Sequence, residues 1–109
     1  MDIETAREYC LSKKAVTECF PFDEYSLVMK VMNKMFALID LESANKICLK
    51  CDPEYALELR ENFDYVTPAY HFNKKHWNGI DTERAPGADI RKWIADSFSL
   101  VKKKAKKSK

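Results

Sequence analysis

Glycine is nearly missing from this chain: Gly79 and Gly87 are the only two in 109 residues. A loop that cradles phosphate needs several glycines in a short span, so the common nucleotide-binding signatures are excluded. Long apolar runs are missing too. The longest, Met35-Phe36-Ala37-Leu38-Ile39, falls far short of the roughly 20 residues that cross a membrane as a helix. The first twenty residues carry Asp2, Glu4, Glu8 and Glu18 around no apolar core, so no secretory leader is expected and the cytoplasm is the expected compartment. There Cys10, Cys19, Cys48 and Cys51 are expected as reduced thiols rather than a disulfide framework. No serine stands in a nucleophile elbow, no HExxH occurs, and no paired carboxylates stand out. Nothing in the chain points to a catalytic reaction.

Apolar residues make up 46% of the chain and charged residues 33%, a globular mixture long enough for one self-sufficient core. The net charge of +2 hides an asymmetry. Residues 102–109 hold six lysines and no acid, so the remainder carries 13 basic against 17 acidic residues, a net of −4. Bulk charge does not make such a body a polyanion binder; local clusters or the tail must do it. Residues 1–101 are therefore expected to form a single domain and residues 102–109 a flexible lysine-rich tail.

Asp2 is placed to cap a first helix running to about Ser12 or Lys13, with Ile3, Ala6 and Cys10 on its inner stripe. Residues 16–22 end in Phe20-Pro21-Phe22 and read as an extended connector, because the residue before proline avoids the helical region. Strands are expected over 26–32, 34–40 and 45–51, joined by short turns that permit only antiparallel neighbours. Asp52-Pro53-Glu54 is a strong helix start. Residues 65–72 and 76–82 read as two further strands around an Asn73-Lys74-Lys75 tip. Pro68 suggests an edge, and Trp77 and Ile80, three apart, suggest a bulge near Gly79. Ile90, Trp93, Ile94, Phe98 and Val101 lie at helical spacing in a last amphipathic helix. The expected fold is α+β, an antiparallel sheet of about five strands packed against helices in the order α-β-β-β-α-β-β-α.

Four phrases in this layout resemble one family. They are Glu18-Cys19-Phe20-Pro21-Phe22, Lys34-Met35-Phe36-Ala37, Lys50-Cys51-Asp52-Pro53-Glu54 and, most specific, Pro68-Ala69-Tyr70-His71-Phe72-Asn73-Lys74-Lys75-His76-Trp77. Together they are similar to the MmcQ/YjbR family of small bacterial proteins over about residues 2–101. The resemblance implies a frataxin-like (CyaY-like) fold. It also implies a DNA-binding role in which two sheet hairpins approach the duplex, with no established reaction.

Alternation points to a binding face independently of that resemblance. Leu27, Met29 and Val31 share one face of their strand, as Ile47, Leu49 and Cys51 share one of theirs. Lys30 then falls on the opposite face together with Lys46, Cys48 and Lys50. Lys34 and Phe36 share a face of the intervening strand, so lysines around an exposed aromatic are expected, a composition suited to phosphate contact and base stacking. The alternative is that these lysines merely solvate the outer face and discourage edge pairing. The acids gather elsewhere, in Asp52, Glu54, Glu58, Glu61 and Asp64.

The tip adds His71, Asn73, Lys74, Lys75, His76 and Trp77. The polar members are candidates for groove or phosphate contact, and Trp77 is expected to be buried as an anchor. Cys48 and Cys51 lie three apart in a strand and so point to opposite faces, which opposes joint metal ligation. No metal and no cofactor is expected. The expected partner is DNA. The competing reading is a small-molecule protein or an enzyme with a pocket near Tyr70, His71 and His76.

Overall fold

The computed structural model describes residues 1–43, 45–69 and 72–107, with side chains described as far as residue 105. Asp2 caps the first helix, α1 (Ile3–Leu11), by accepting from the Thr5 amide at 2.7 Å. Ala15, at φ 64°, then turns the chain into β1 (Val16–Cys19). The strands β2 (Ser26–Val31) and β3 (Lys34–Asp40) form a hairpin closed by Met32 and Asn33, both at positive φ. Two left-handed residues in a two-residue loop make the primed turn whose twist suits paired strands.

After β4 (Lys46–Lys50), Asp52 and Pro53 start α2 (Pro53–Asn62). The chain returns through β5 (Val66–Pro68) and β6 (Trp77–Asp81) and ends in α3 (Gly87–Lys107). The strands form one fully antiparallel sheet in the order β1-β2-β3-β4-β6-β5.

Both faces of this sheet are packed. On the helix side Leu27, Met29, Val31, Ile39, Ile47, Leu49 and Ile80 meet Ala6 and Cys10 of α1 and Ile90, Trp93, Ile94 and Val101 of α3. On the other side Val28, Leu38, Cys48, Ala69 and Trp77 form a second apolar cluster, with Cys19, Met35 and Phe72 against it.

Three expectations are corrected. Residues 16–19 are a strand, giving six strands rather than about five, because they pair residue for residue with Val28–Val31 as a sheet edge. The strand expected over 65–72 is only Val66–Pro68, and Tyr70 and His71 lie outside the described residues. No bulge occurs at Gly79, since Lys46–Lys50 pair with Trp77–Asp81 in unbroken register. Trp77 and Ile80 are both buried simply because each face of the sheet has its own core. Helix α3 runs past Val101 as far as Lys107.

The irregularity lies in β3 instead. Met29 pairs with Ala37 and Lys30 with Met35, so Phe36 is one residue too many for β2. Pairing with β4 begins only at Ala37. Phe36 thus turns to the helix side, fully buried, with its ring edge-on to Phe98 at 5.6 Å. Its carbonyl accepts the buried Ser97 hydroxyl at 2.6 Å. Removing that donor strands a buried acceptor. Ser97→Ala is expected to cost about 1–3 kcal/mol of unfolding free energy in urea titrations. A change within about 0.5 kcal/mol, the range of ordinary surface substitutions, would show that the carbonyl has another partner.

Candidate nucleic-acid interface

Strand directions sort the charges. The register places Val16, Val31, Lys34, Lys50 and Trp77 at one end of the sheet and Cys19, Ser26, Asp40, Lys46 and Asp81 at the other. Lys13 and Lys14 immediately precede β1 at the first end, and Lys74 and Lys75 lead into β6 there. On the open face Lys30 stands between Thr17 and Met35, and Lys50 beside Trp77. Helix α3 points its C-terminus to the same end: Lys104 and Lys34 both act on Lys50, whose pKa is lowered first by burial and then by these two cations. The two smaller causes reflect like charges near Lys50, and the larger one its partial burial.

The opposite end is acidic, with Asp23 and Glu24 before β2, Asp40 closing β3 with Glu42 beyond it, and Asp81 closing β6 with Glu83 beyond it. Lys46 belongs to this end, with Asp40 and Asp81 as its cross-strand neighbours. Its stem lies across Gly79, where a Cβ would come within 2.7 Å of its Cε and would push the flexible lysine stem aside. Among the described residues, ion pairs join Arg7 to Glu18, Arg84 to Asp64 and Lys92 to Asp96, and none uses Lys30, Lys34 or Lys50.

The expected site is therefore brought together in part. Lys30 and Lys50 on the open face and Lys34, paired with Val31 on the helix side, reach the same strand end. The Lys74-Lys75 tip leads into β6 there but lies against α2 beside Glu54. Lys46 is held apart among carboxylates. Phe36 is not the exposed aromatic of this face, because the bulge rotates it into the core. Trp77 is buried and stacked on Phe72 with centroids 4.8 Å apart, so it supports the tip from beneath. Asn73 is exposed, but its Oδ1 accepts the Lys75 amide at 3.0 Å and shapes the turn. His76 is half-buried, with its carbonyl accepting the Cys51 amide at 2.7 Å; its Nδ1 is buried without a partner. Arg60 donates to the Lys74 carbonyl at 2.8 Å, an anchor from α2 that no local motif signals.

The acids of residues 52–64 occupy the exposed side of α2, as their spacing suggests. A cavity of about 450 Å³ lies on the open face toward the acidic end, between Phe22 and Tyr25 on one side and Ala69 and Phe72 on the other. His76 does not line it and His71 lies outside the described residues, so the expected pair of histidines facing a pocket is not seen.

Among the described residues no three His, Cys, Asp or Glu side chains gather as a metal-holding group. No described helix is long and apolar enough to cross a membrane. Cys48 lies in the open-face cluster and Cys51 packs against the helix-side core, on opposite faces as alternation requires.

The arrangement defines a small α+β protein with a two-faced sheet core and opposed charges at the strand ends. A family model described as YjbR matches residues 11–100. The uncharacterized protein YbdF of Escherichia coli O157:H7 is 36% identical over 100 residues, covering 90% of this chain and 82% of that one. The uncharacterized protein YyaQ of Bacillus subtilis is 37% identical over 79 residues, 72% and 66% of the two chains. Among solved structures, protein DR2400 of Deinococcus radiodurans superposes with a TM-score of 0.85 at 35% identity, covering 94% of this chain and 79% of that one. A Pseudomonas syringae protein gives 0.79 at 26% identity, with 93% and 99% covered. The chain belongs to the YjbR family.

The thiols have a measurable signature. Burial pushes Cys10 up to about 12 and Cys48 and Cys51 up to about 11, from an ordinary 9.0. Asp52 and Asp96 add to the rise at Cys51. At pH 8 a disulfide reagent is expected to modify the half-exposed Cys19 quickly, the half-exposed Cys51 slowly because its proton is held up to about 11, and the buried Cys10 and Cys48 only upon denaturation. The folded state holds these protons more tightly than the unfolded chain. Their contribution is therefore intact below about pH 9 and is lost as pH rises toward 11–12. A urea midpoint that does not fall between pH 8.5 and 10.5 would contradict this.

Proposed function

We propose that this protein is a cytoplasmic DNA-binding module that meets the duplex backbone with the cationic end of its sheet. The reading rests on one observation: Lys30, Lys34 and Lys50 converge at a single strand end, where Lys104 approaches Lys50. Two projections flank this end, the Met32-Asn33 hairpin turn and the connection that leads through Lys74 and Lys75 into β6. They serve as the two wings of a frataxin-like, double-wing approach to the duplex. Lysines arranged this way neutralise phosphates and release counterions, which gives affinity without sequence choice. The carboxylates at the far end orient the approach, because they repel the same backbone that the lysines attract. Trp77 and Phe72 hold the tip rigid from below, and Asn73 sets its turn.

Fluorescence anisotropy with a short duplex at several salt concentrations tests the proposal. The intact chain is expected to bind with a steep salt dependence. Replacing Lys30, Lys34 and Lys50 together by alanine should reduce the slope of log K against log salt by about 3, close to one unit per lost phosphate contact. Lys46→Ala, at the acidic end, should leave the slope unchanged. Absence of binding at low salt sinks the proposal, as does equal weakening by both variants.

A further inference from the structure

At the helix side of the cationic end, a small pocket opens between the C-terminal residues of β4, the first turns of α2 and the middle of α3. Its volume is about 150 Å³. Its walls are the apolar Leu49, Leu59, Ile80, Trp93 and Leu100, and Asn78 is the polar residue set among them. Asn78 is 1% exposed and faces the helix side, since it pairs with Leu49. Its Nδ2 donates to the Ala56 carbonyl at 3.2 Å. A carbonyl only accepts, so this bond fixes which way the amide is turned. The Oδ1 is left as a buried acceptor with no partner. A lone buried acceptor is costly unless a donor reaches it. The exposed carboxylates of Asp52 and Asp96 stand at the rim together with Lys50, and Asp96 is paired with Lys92 at 3.8 Å, so the rim favours neither an anion nor a cation.

We propose that this pocket is a binding site for a small aromatic alcohol or amine, its ring among the leucines and its O–H or N–H donating to Asn78 Oδ1. The size suits one ring, since a dry apolar cavity on the order of 150 Å³ holds benzene. The donor is required by Asn78, and a neutral ligand suits a rim where Asp52 and Asp96 are offset by Lys50 and Lys92. Cys51 on the wall keeps its proton at neutral pH, so the site binds without covalent attachment. Lys50 borders both this pocket and the proposed DNA contact, but phenol binding is read at Leu59, Leu100 and Asn78 and duplex binding in the salt slope, so either can fail without the other.

Phenol is the probe, and toluene is the same shape without the donor. In amide NMR titrations of the intact protein at pH 7, phenol is expected to shift Leu59, Leu100 and the Asn78 side-chain amide in a saturable way. Toluene should bind about tenfold more weakly or worse, as the loss of one hydrogen bond to a buried acceptor requires. Leu100→Phe fills the pocket from its rim and leaves Asn78 in place; it should abolish the phenol shifts while preserving the spectrum elsewhere. The proposal is overturned if phenol produces no saturable shifts, if the shifts map outside these walls, or if toluene binds equally well. Undiminished phenol binding in the filled variant would overturn it too.

Discussion

Between Met35 and Ala37 the third strand carries one residue more than its partner can pair, and the surplus is absorbed by a contact with α3. Phe36 turns inward against Phe98, and its unpaired carbonyl takes the Ser97 hydroxyl. A buried carbonyl outside the ladder would otherwise be a liability. This pair of contacts registers the long helix against the sheet. It thereby settles where Lys104 arrives, close enough to Lys50 to act on it. Both the shape of the core and the charge at one strand end follow from that docking.

The open face is less open than a lysine-bearing face suggests. Its centre is a second core, with Trp77 stacked on Phe72 and Val28, Leu38 and Cys48 beneath. Only the strand ends are left for charge, and the antiparallel register decides which charge goes where. Lys46 and Lys50 share one strand and one face, yet they stand at opposite ends among opposite neighbours. Four residues along a strand span about 13 Å, more than a Debye length in physiological salt. The two ammonium groups therefore belong to separate electrostatic neighbourhoods.

Lysines near the C-terminus of α3 also have an ordinary role, since cations there complement the helix dipole. That role accounts for Lys102, Lys103 and Lys104 on their own helix. It does not account for Lys30, Lys34 and Lys50, which come from three different strands to the same end. The convergence is a property of the sheet, and this separates a surface from a helix terminus.

Much of the fold was legible in the chain itself. The caps at Asp2 and Asp52, the alternation in β2 and β4, and the apolar stripe of α3 are local patterns, each written within about a dozen residues and each decided by hydrogen-bond geometry or periodicity. Those patterns, with the family phrases around Asn73 and His76, determined an antiparallel sheet against helices. They also placed Lys30, Lys46 and Lys50 on one face. What they could not contain was the bulge at Phe36, the pairing of residues 16–19 as an edge strand, the continuation of α3 through the lysines and the unpartnered amide oxygen of Asn78. Each of these depends on groups far apart in sequence, such as Ser97 meeting Phe36 or Asn78 meeting Ala56. Side-chain direction is a local consequence of backbone periodicity. Which charges become neighbours, and which polar atom is left without a donor, is settled only when distant segments pack.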